Sequence, residues 1–387
     1  MRKVILGLTA ALVVSGPIAL AHDGTAIARE RRITLPKTPD GRSVLAVDLH
    51  THSVFSDGSV WPDIRVEEAK RDGLFAMAVS EHLEYQPHAA DIPHPDRNRS
   101  YELAKAAAEV TPDSTGVAAQ KLLVINGSEI TKVVMPPGHI NAVFITDANA
   151  LKSGDVVQQL RTANAQGAFT FWNHPYWTSQ TPNGVATMTP LHAQLIKDGL
   201  LHGIEVANGA DISDESFQIA LENNLTVLGT SDVHGLIDWE YDIAGGGHRT
   251  ATLVLAADET GDGVKSALKA GHTVAVYNDT LTGRKENVEA VMRGALRIEV
   301  GKALPRTTVV PVSVINDGPT DIILENVGRE GFYDEGHVFT VKAGSTFTLI
   351  VKDVADASSL NLTFNILNTY IAPRQHLQIT LADAVQN

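Results

Sequence analysis

The sequence predicts an α/β domain followed by a small antiparallel β domain, and three observations carry that expectation. From 44 to about 290, short apolar runs alternate with helix-like segments, as in parallel β/α construction. Beyond about 294 the pattern changes to strict alternation, as in Leu360-Asn-Leu-Thr-Phe-Asn-Ile366, which is how half-buried antiparallel strands read. The composition, 43% hydrophobic and 20% charged over 387 residues, is that of a globular chain and excludes long disorder or a fibrous repeat. Six or seven strand–helix units suggest a closed barrel. Periodicity alone leaves an open sheet about as acceptable.

Taken in order, residues 1–21 begin with Arg2 and Lys3, continue as an apolar run from Val4 to Val14, and end on Ala19-Leu20-Ala21. A basic start, an apolar stretch and a small-residue cleavage site describe a secretory signal peptide. The run is shorter than the roughly 20 residues a membrane span needs, and Gly16-Pro17 interrupts it. The expected location is therefore periplasmic. Residues 22–43 are polar and basic with two prolines, and read as an N-terminal tether. The expected barrel covers 44–293, with strands at 44–49, 75–80, 122–126, 168–173, 203–206 and 226–230. Its helices are expected at 62–72, 100–110, 155–166 and 213–223, the first and third closed by Gly73 and Gly167. One step breaks the alternation. The run that begins at His139 starts ten residues after Glu129, behind a Pro136-Pro137-Gly138 loop, too short a step for a β–α–β crossover. The strand after His139 should run antiparallel and leave His139 on the same rim as Glu129. The β-rich domain takes 294–387 and shows no catalytic cluster.

Charge and cysteine content narrow the chemistry. The net charge of −14 becomes −16 once Arg2 and Lys3 leave with the signal peptide, which argues against a nucleic-acid partner held by general phosphate neutralisation. With no cysteine there is no disulfide, thiolate metal site or cysteine nucleophile, so any metal must be held by imidazole and carboxylate. No membrane span follows the signal peptide, and the sequence is silent on oligomeric state.

The functional signal lies at the strand ends. Asp48-Leu-His50-Thr-His52 closes the first apolar run, and Asp57-Gly58 follows in a loop. Two histidines one residue apart project on one side of a strand exit, an arrangement suited to Zn, Mn or Fe. Later runs end likewise on His82, Glu129, His174, and Asp232 with His234, and the antiparallel run begins at His139. Barrels collect functional groups at the carboxyl ends of their strands, so these side chains should meet on one rim. Tyr85, Lys132, Trp177, His248 and Arg249 stand near enough in sequence to be candidate substrate contacts, His248-Arg249 because they follow the flexible Gly245-Gly-Gly247 run. Asp48 is expected either to orient a ligand histidine or to make an N-terminal turn bond.

These motifs resemble those of the PHP family of polymerase-associated and histidinol-phosphatase domains, and the chain looks most like its exported phosphodiesterases acting on small organophosphate diesters. The resemblance implies a distorted (β/α)7 barrel with three divalent metal ions (Mn, Zn or Fe). By motif position, His50, His52 and Asp232 would bind one ion, bridged by Glu129 to a second held with His139 and His174. Asp57, His82 and His234 would bind the third. The implied reaction is hydrolysis of a small phosphodiester substrate by a metal-bridging hydroxide. A phosphomonoesterase is the alternative, and a non-catalytic metal- or wall-binding module a more distant one.

Overall fold

The computed structural model describes residues 35–109, 121–131, 135–152, 154–333 and 335–383. The signal peptide, most of the tether and Lys132 lie outside the described residues. Among the described residues no helix is long and apolar enough to cross a membrane.

The first half follows the expected alternation closely. Strand β1 (Ser43–Asp48) leads to α1 (Pro62–Arg71), β2 (Ala76–Val79), α2 (Arg99–Ala108), β3 (Leu123–Ile130), β4 (Ile140–Val143), α3 (Val156–Ala165), β5 (Phe169–Trp172) and α4 (Pro190–Lys197). Then come β6 (Gly203–Asn208), the short β7 (Asp211–Ile212), α5 (Asp214–Glu222), β8 (Thr226–Thr230) and the one-turn α6 (Ile237–Glu240). Helix starts show the reason for their positions: Asp155, Thr189 and Ser213 each accept a backbone N–H of the first turn.

Pairing is parallel for β1–β2–β3 and for β5–β6–β8. Strand β4 is antiparallel to both neighbours, with Glu129 opposite Asn141 and Ile130 opposite Ile140. That register sets His139 beside the end of β3, as the short loop predicts. A second departure was not legible: β9 (Ala251–Ala256), α7 (Gly261–Lys269), β10 (Thr273–Tyr277) and β11 (Thr280–Gly283) continue the sheet, with β9 antiparallel to β1 and the three strands antiparallel in turn. The sheet is thus a mixed, curled one rather than seven uniform β/α units. Its two ends approach through side chains and two mouth bonds. Gly229 N–H donates to Thr252 Oγ1 at 3.0 Å and Thr252 Oγ1–H to Gly229 O at 2.7 Å; a Cβ on residue 229 would lie 2.7 Å from Ala251 O. At the mouth, Asp232 N–H donates to His50 O at 2.9 Å and His52 N–H to Val233 O at 3.1 Å. The exits of β8 and β1 are therefore stitched together, which is where the polar rim sits.

Inside the curl, Leu45, Val47, Ala76, Ile125, Phe169, Phe171 and Leu228 form a buried core. Outside it, helices cover the opposite face of each strand. After α8 (Lys285–Ala295), strands β12 (Leu296–Val300), β13 (Val310–Asn316), β14 (Ile322–Asn326), β15 (Val338–Val341), β16 (Ser345–Val351), β17 (Asn361–Ile366), β18 (Thr369–Tyr370) and β19 (Leu377–Ala382) follow. They form two antiparallel sheets, β12-β13-β16 and β15-β14-β17-β19. The inward alternation of Val312, Val314, Leu324, Phe339, Leu349, Phe364 and Ile379 packs them into a sandwich. Strand β18 leaves that sandwich and pairs parallel with β11, and one apolar cluster runs from Val44 and Leu74 through Val291 into the sandwich. The β-rich tail is consequently fused to the barrel side, not hung from it.

Candidate metal centre

Nine side chains converge at the mouth: His50, His52, Asp57, His82, Glu129, His139, His174, Asp232 and His234. They are the full set singled out from sequence; their ligand atoms fall into four overlapping groups, His52/Asp57/His82/His234, His50/His52/Asp232, His50/Glu129/His174 and His82/Glu129/His139, gathered around three carboxylates whose surroundings form three clusters. In the first, His50 Nε2 and His52 Nε2 lie 3.0 Å apart, each 3.1 Å from Asp232 Oδ1 and 3.5 Å from Glu129 Oε2. In the second, Glu129 Oε1 stands 2.9 Å from His139 Nδ1 and 3.5 Å from His174 Nε2. In the third, the two oxygens of Asp57 lie 3.3 Å from His82 Nε2 and 3.2 Å from His234 Nε2. Glu129 thus turns one oxygen toward each of the first two groups. His82 also faces it, its Nδ1 2.7 Å from Glu129 Oε2 and from Thr131 Oγ1.

Local structure explains the convergence. Glu81, at the end of β2, accepts Ser53 N–H at 3.1 Å and the hydroxyls of Ser53 and Ser56, fixing the loop between His52 and Asp57. Gly58 closes that loop so tightly that a Cβ there would meet backbone atoms of His52 and Ser53 at 2.8 Å. His174 and Asp232 adopt left-handed backbone angles, φ 28° and 51°, unusual for residues with a Cβ and the kind of strain that gathers at functional sites.

Electrostatics mark the cluster as one built for cations. Burial opposes charge on His82 and His234, yet facing carboxylates prevail and push them up to about 10 and about 9. His50 is likewise raised well above the usual imidazole range against its burial, by Asp232, Glu205 and Glu129. His52, buried and facing the His234 and His82 cations, falls to about 3. Burial would raise Glu129, Asp57 and Asp232, but the surrounding imidazoles hold all three below the ordinary carboxylate range. Even so, His139 Nε2 and His174 Nδ1 are buried without a hydrogen-bond partner among the described residues, and Glu129 Oε2, Asp57 Oδ1 and Asp232 Oδ1 face imidazole nitrogens without an aligned hydrogen bond. Ligands about 2.0–2.2 Å from one ion lie roughly 3–3.5 Å apart, the spacing seen within each group. The donor set, imidazole with carboxylate, fits divalent Mn, Zn or Fe.

Asp57, His82, Glu129, His139, His174, Asp232 and His234 form the floor of a pocket of about 330 Å³, walled by Tyr176, Trp177, Asn208, Asp211 and Glu240. The Trp177 ring stands 5.7 Å from that of His139 and 5.3 Å from that of His174. Tyr85 lies edge-on to His82 at 5.7 Å but does not line this pocket. Two expected substrate contacts are corrected. Arg249 is buried and committed, its guanidinium bonding Asp72 at 2.7 Å and Asp48 at 3.1 Å. His248 turns inward, Nδ1 donating to Arg249 O at 2.9 Å, Nε2 accepting Asp279 N–H at 3.2 Å. Both line a separate cavity of about 650 Å³ bordered by Val291, Ile322 and other residues next to the sandwich. The glycine run preceding them suggested reach; the buried carboxylates Asp48 and Asp72 decided otherwise. Trp172 is also core, stacked on His192 at 3.8 Å.

Asp48 touches no histidine ring. It accepts the backbone N–H of His50 at 3.4 Å and of Ser231 at 3.1 Å, joining β1 to β8. The residue that holds a ring is Glu205 on β6, which sequence reading missed: its Oε1 bonds His50 Nδ1 at 2.8 Å. A glutamate inside the apolar run Gly203-Ile-Glu-Val-Ala was the available signal, since an unpaired acid on a buried strand needs a partner.

Residues 296–382 match the model of an Ig-like domain family. In structure, the chain is similar to a two-domain protein from Bacteroides vulgatus containing a predicted PHP-like metal-dependent phosphoesterase, with 36% identity over 91% of this chain and 98% of that one, at TM-score 0.81. Among more remote likenesses are PsfC from Pseudomonas syringae (18% identity, 60% and 91% covered, TM-score 0.40) and a lesion-specific endonuclease from Pyrococcus furiosus (17%, 62% and 59%, 0.40). No curated protein sequence matches the chain.

Proposed function

Since the chain belongs to the PHP-like metal-dependent phosphoesterases, we propose that it hydrolyses small phosphodiesters at a site of three divalent ions. The observation that carries this reading is the composition of the pocket: seven of the nine metal-capable side chains line its floor, with His50 and His52 buried behind them, and the described lining residues include no lysine or arginine. A monoester dianion gains from an added fixed cation at its extra oxygen. A diester, singly charged, needs none, and the acids Asp211 and Glu240 in the wall disfavour the greater charge. Pocket size supports a small substrate.

Bound divalent cations supply charge neutralisation at the phosphate oxygens and water acidified to near-neutral pKa. The chain's own contribution is positioning. Glu129 spaces the first two groups by facing one oxygen to each, Asp57 gathers His82 and His234, and the Trp177 indole forms a wall for the leaving group. Asn208 Nδ2, 3.3 Å from Asp232 Oδ2, restrains that carboxylate from the side. Export to the periplasm is part of the proposal and is supported by the charge and hydropathy pattern of residues 1–21.

The test compares bis(p-nitrophenyl) phosphate with p-nitrophenyl phosphate, before and after chelation, alongside metal content per chain. Expected are faster turnover of the diester, loss on chelation, recovery with a divalent ion, and about three ions per chain. Preference for the monoester would establish the phosphatase alternative; chelator-resistant turnover would refute the metal mechanism. Detection of the 1–21 segment on mature protein would refute export by cleavage.

A further inference from the structure

We propose that Glu205 is a positioning residue that sets His50 and His174 jointly, so that metal held by the His50/His52/Asp232 cluster and by the Glu129/His139/His174 cluster would depend on one buried carboxylate outside both. The inference rests on the metal-dependent reading above.

Glu205 is fully buried, on β6 where pairing with β8 shifts register between Glu205 and Ala207. A charged carboxylate in such a place must be fully hydrogen-bonded, and here each oxygen takes two donors. Oε1 receives His50 Nδ1–H at 2.8 Å and Thr230 Oγ1–H at 2.7 Å. Oε2 receives His174 N–H at 2.7 Å and Asn208 Nδ2–H at 2.9 Å.

The two halves do different work. An ionised carboxylate only accepts, so His50 must carry its proton on Nδ1 when it serves as a neutral ligand. That leaves the Nε2 lone pair facing Asp232 and Glu129, the tautomer a ligand needs. At His174 the bond is to the backbone, and it pins a residue whose φ of 28° is costly for a side chain with a Cβ. From that backbone the ring reaches Glu129 Oε1 at 3.5 Å. One group therefore fixes a ring in the first cluster and a main chain in the second. Asp57, His82 and His234 make no bond to it.

Glu205→Gln keeps the size but replaces one acceptor by an NH2 donor. That donor must oppose either His50 Nδ1–H or His174 N–H. If His50 answers by moving its proton to Nε2, the lone pair is blocked.

The experiment uses the full chain reconstituted with Mn²⁺ alone, titrated against a chelator, with bound metal counted per chain. The expected result is a loss of about 10- to 100-fold in affinity, the usual effect of removing a ligand's orienting partner, for two ions, with the third held as in wild type. The complementary variant Asp57→Asn is expected to lose the third ion first. Melting of the metal-free proteins separates a folding defect, and Glu205→Asp, which keeps the charge but falls short of both partners, serves if Glu205→Gln fails to fold. Equal weakening of all three ions, or wild-type affinity in a folded variant, overturns the inference while leaving the metal reading intact. A wild-type chain that takes up no Mn²⁺ overturns both.

Discussion

His139 Nδ1 lies 2.9 Å from Glu129 Oε1, ten positions away in sequence. The antiparallel turn of β3 into β4 places an acid and an imidazole on one rim although a parallel strand would have carried His139 to the far end of the barrel. Glu129 is thereby surrounded by His50, His52, His82, His139 and His174 and becomes the electrostatic centre of the site.

Glu129→Gln should therefore remove the negative charge that two groups share. Turnover of a diester is expected to fall by more than about 100-fold, beyond what loss of an orienting partner costs. Metal content should fall by more than one ion per chain. Elemental analysis with initial-rate kinetics checks both, and retained stoichiometry would contradict the bridging geometry.

Arg249 separates a structural from a substrate role. Substituting methionine leaves Asp48 buried without its cation and Asp72 with Arg71 alone, at 3.2 Å, a change that costs roughly 3–5 kcal/mol where one partner of a buried pair is lost. Denaturant unfolding should show that destabilisation. A raised KM at unchanged stability would instead mean that the guanidinium reaches substrate.

Proton release gives a pH signature. Without metal, the facing carboxylates push His82 and His234 up to about 10 and about 9, so both are expected to be protonated at pH 7, whereas a metal-holding imidazole is not. Binding of Mn²⁺ at pH 7 should release protons, and apparent affinity should rise with pH until about 9–10. Titration calorimetry in buffers of differing ionisation enthalpy measures the release. The same raised values stabilise the metal-free fold fully below about pH 6.5, and that contribution should disappear as pH rises through 9–10. Metal-loaded protein should not show this loss.

Trp177→Ala should raise KM for bis(p-nitrophenyl) phosphate by about 3- to 10-fold, the size of one aromatic contact, with a smaller change in kcat. The indole is 42% exposed, so stability should change little. A fall in kcat without a KM effect would move Trp177 from the leaving group to support of His139 and His174.

What the sequence determined by itself was the set of metal-capable side chains that meet at the mouth and the order of the first strands. Residues such as His50 and His52, or Asp232 and His234, stand immediately after apolar runs, and alternation with a strand's exit is a local property that a chain displays without folding. The short Pro136-Pro137-Gly138 loop was equally local, and it fixed the direction of β4. What tertiary structure decided were the partners of charges far apart in sequence. Arg249 is claimed by Asp48 and Asp72, and His50 by Glu205, 155 positions away. Nor could period-two patterning foretell that β18 would leave its sandwich to extend the barrel sheet. Burial forces each buried charge to find a partner, but which partner is nearest is settled only when the strands curl and their ends meet.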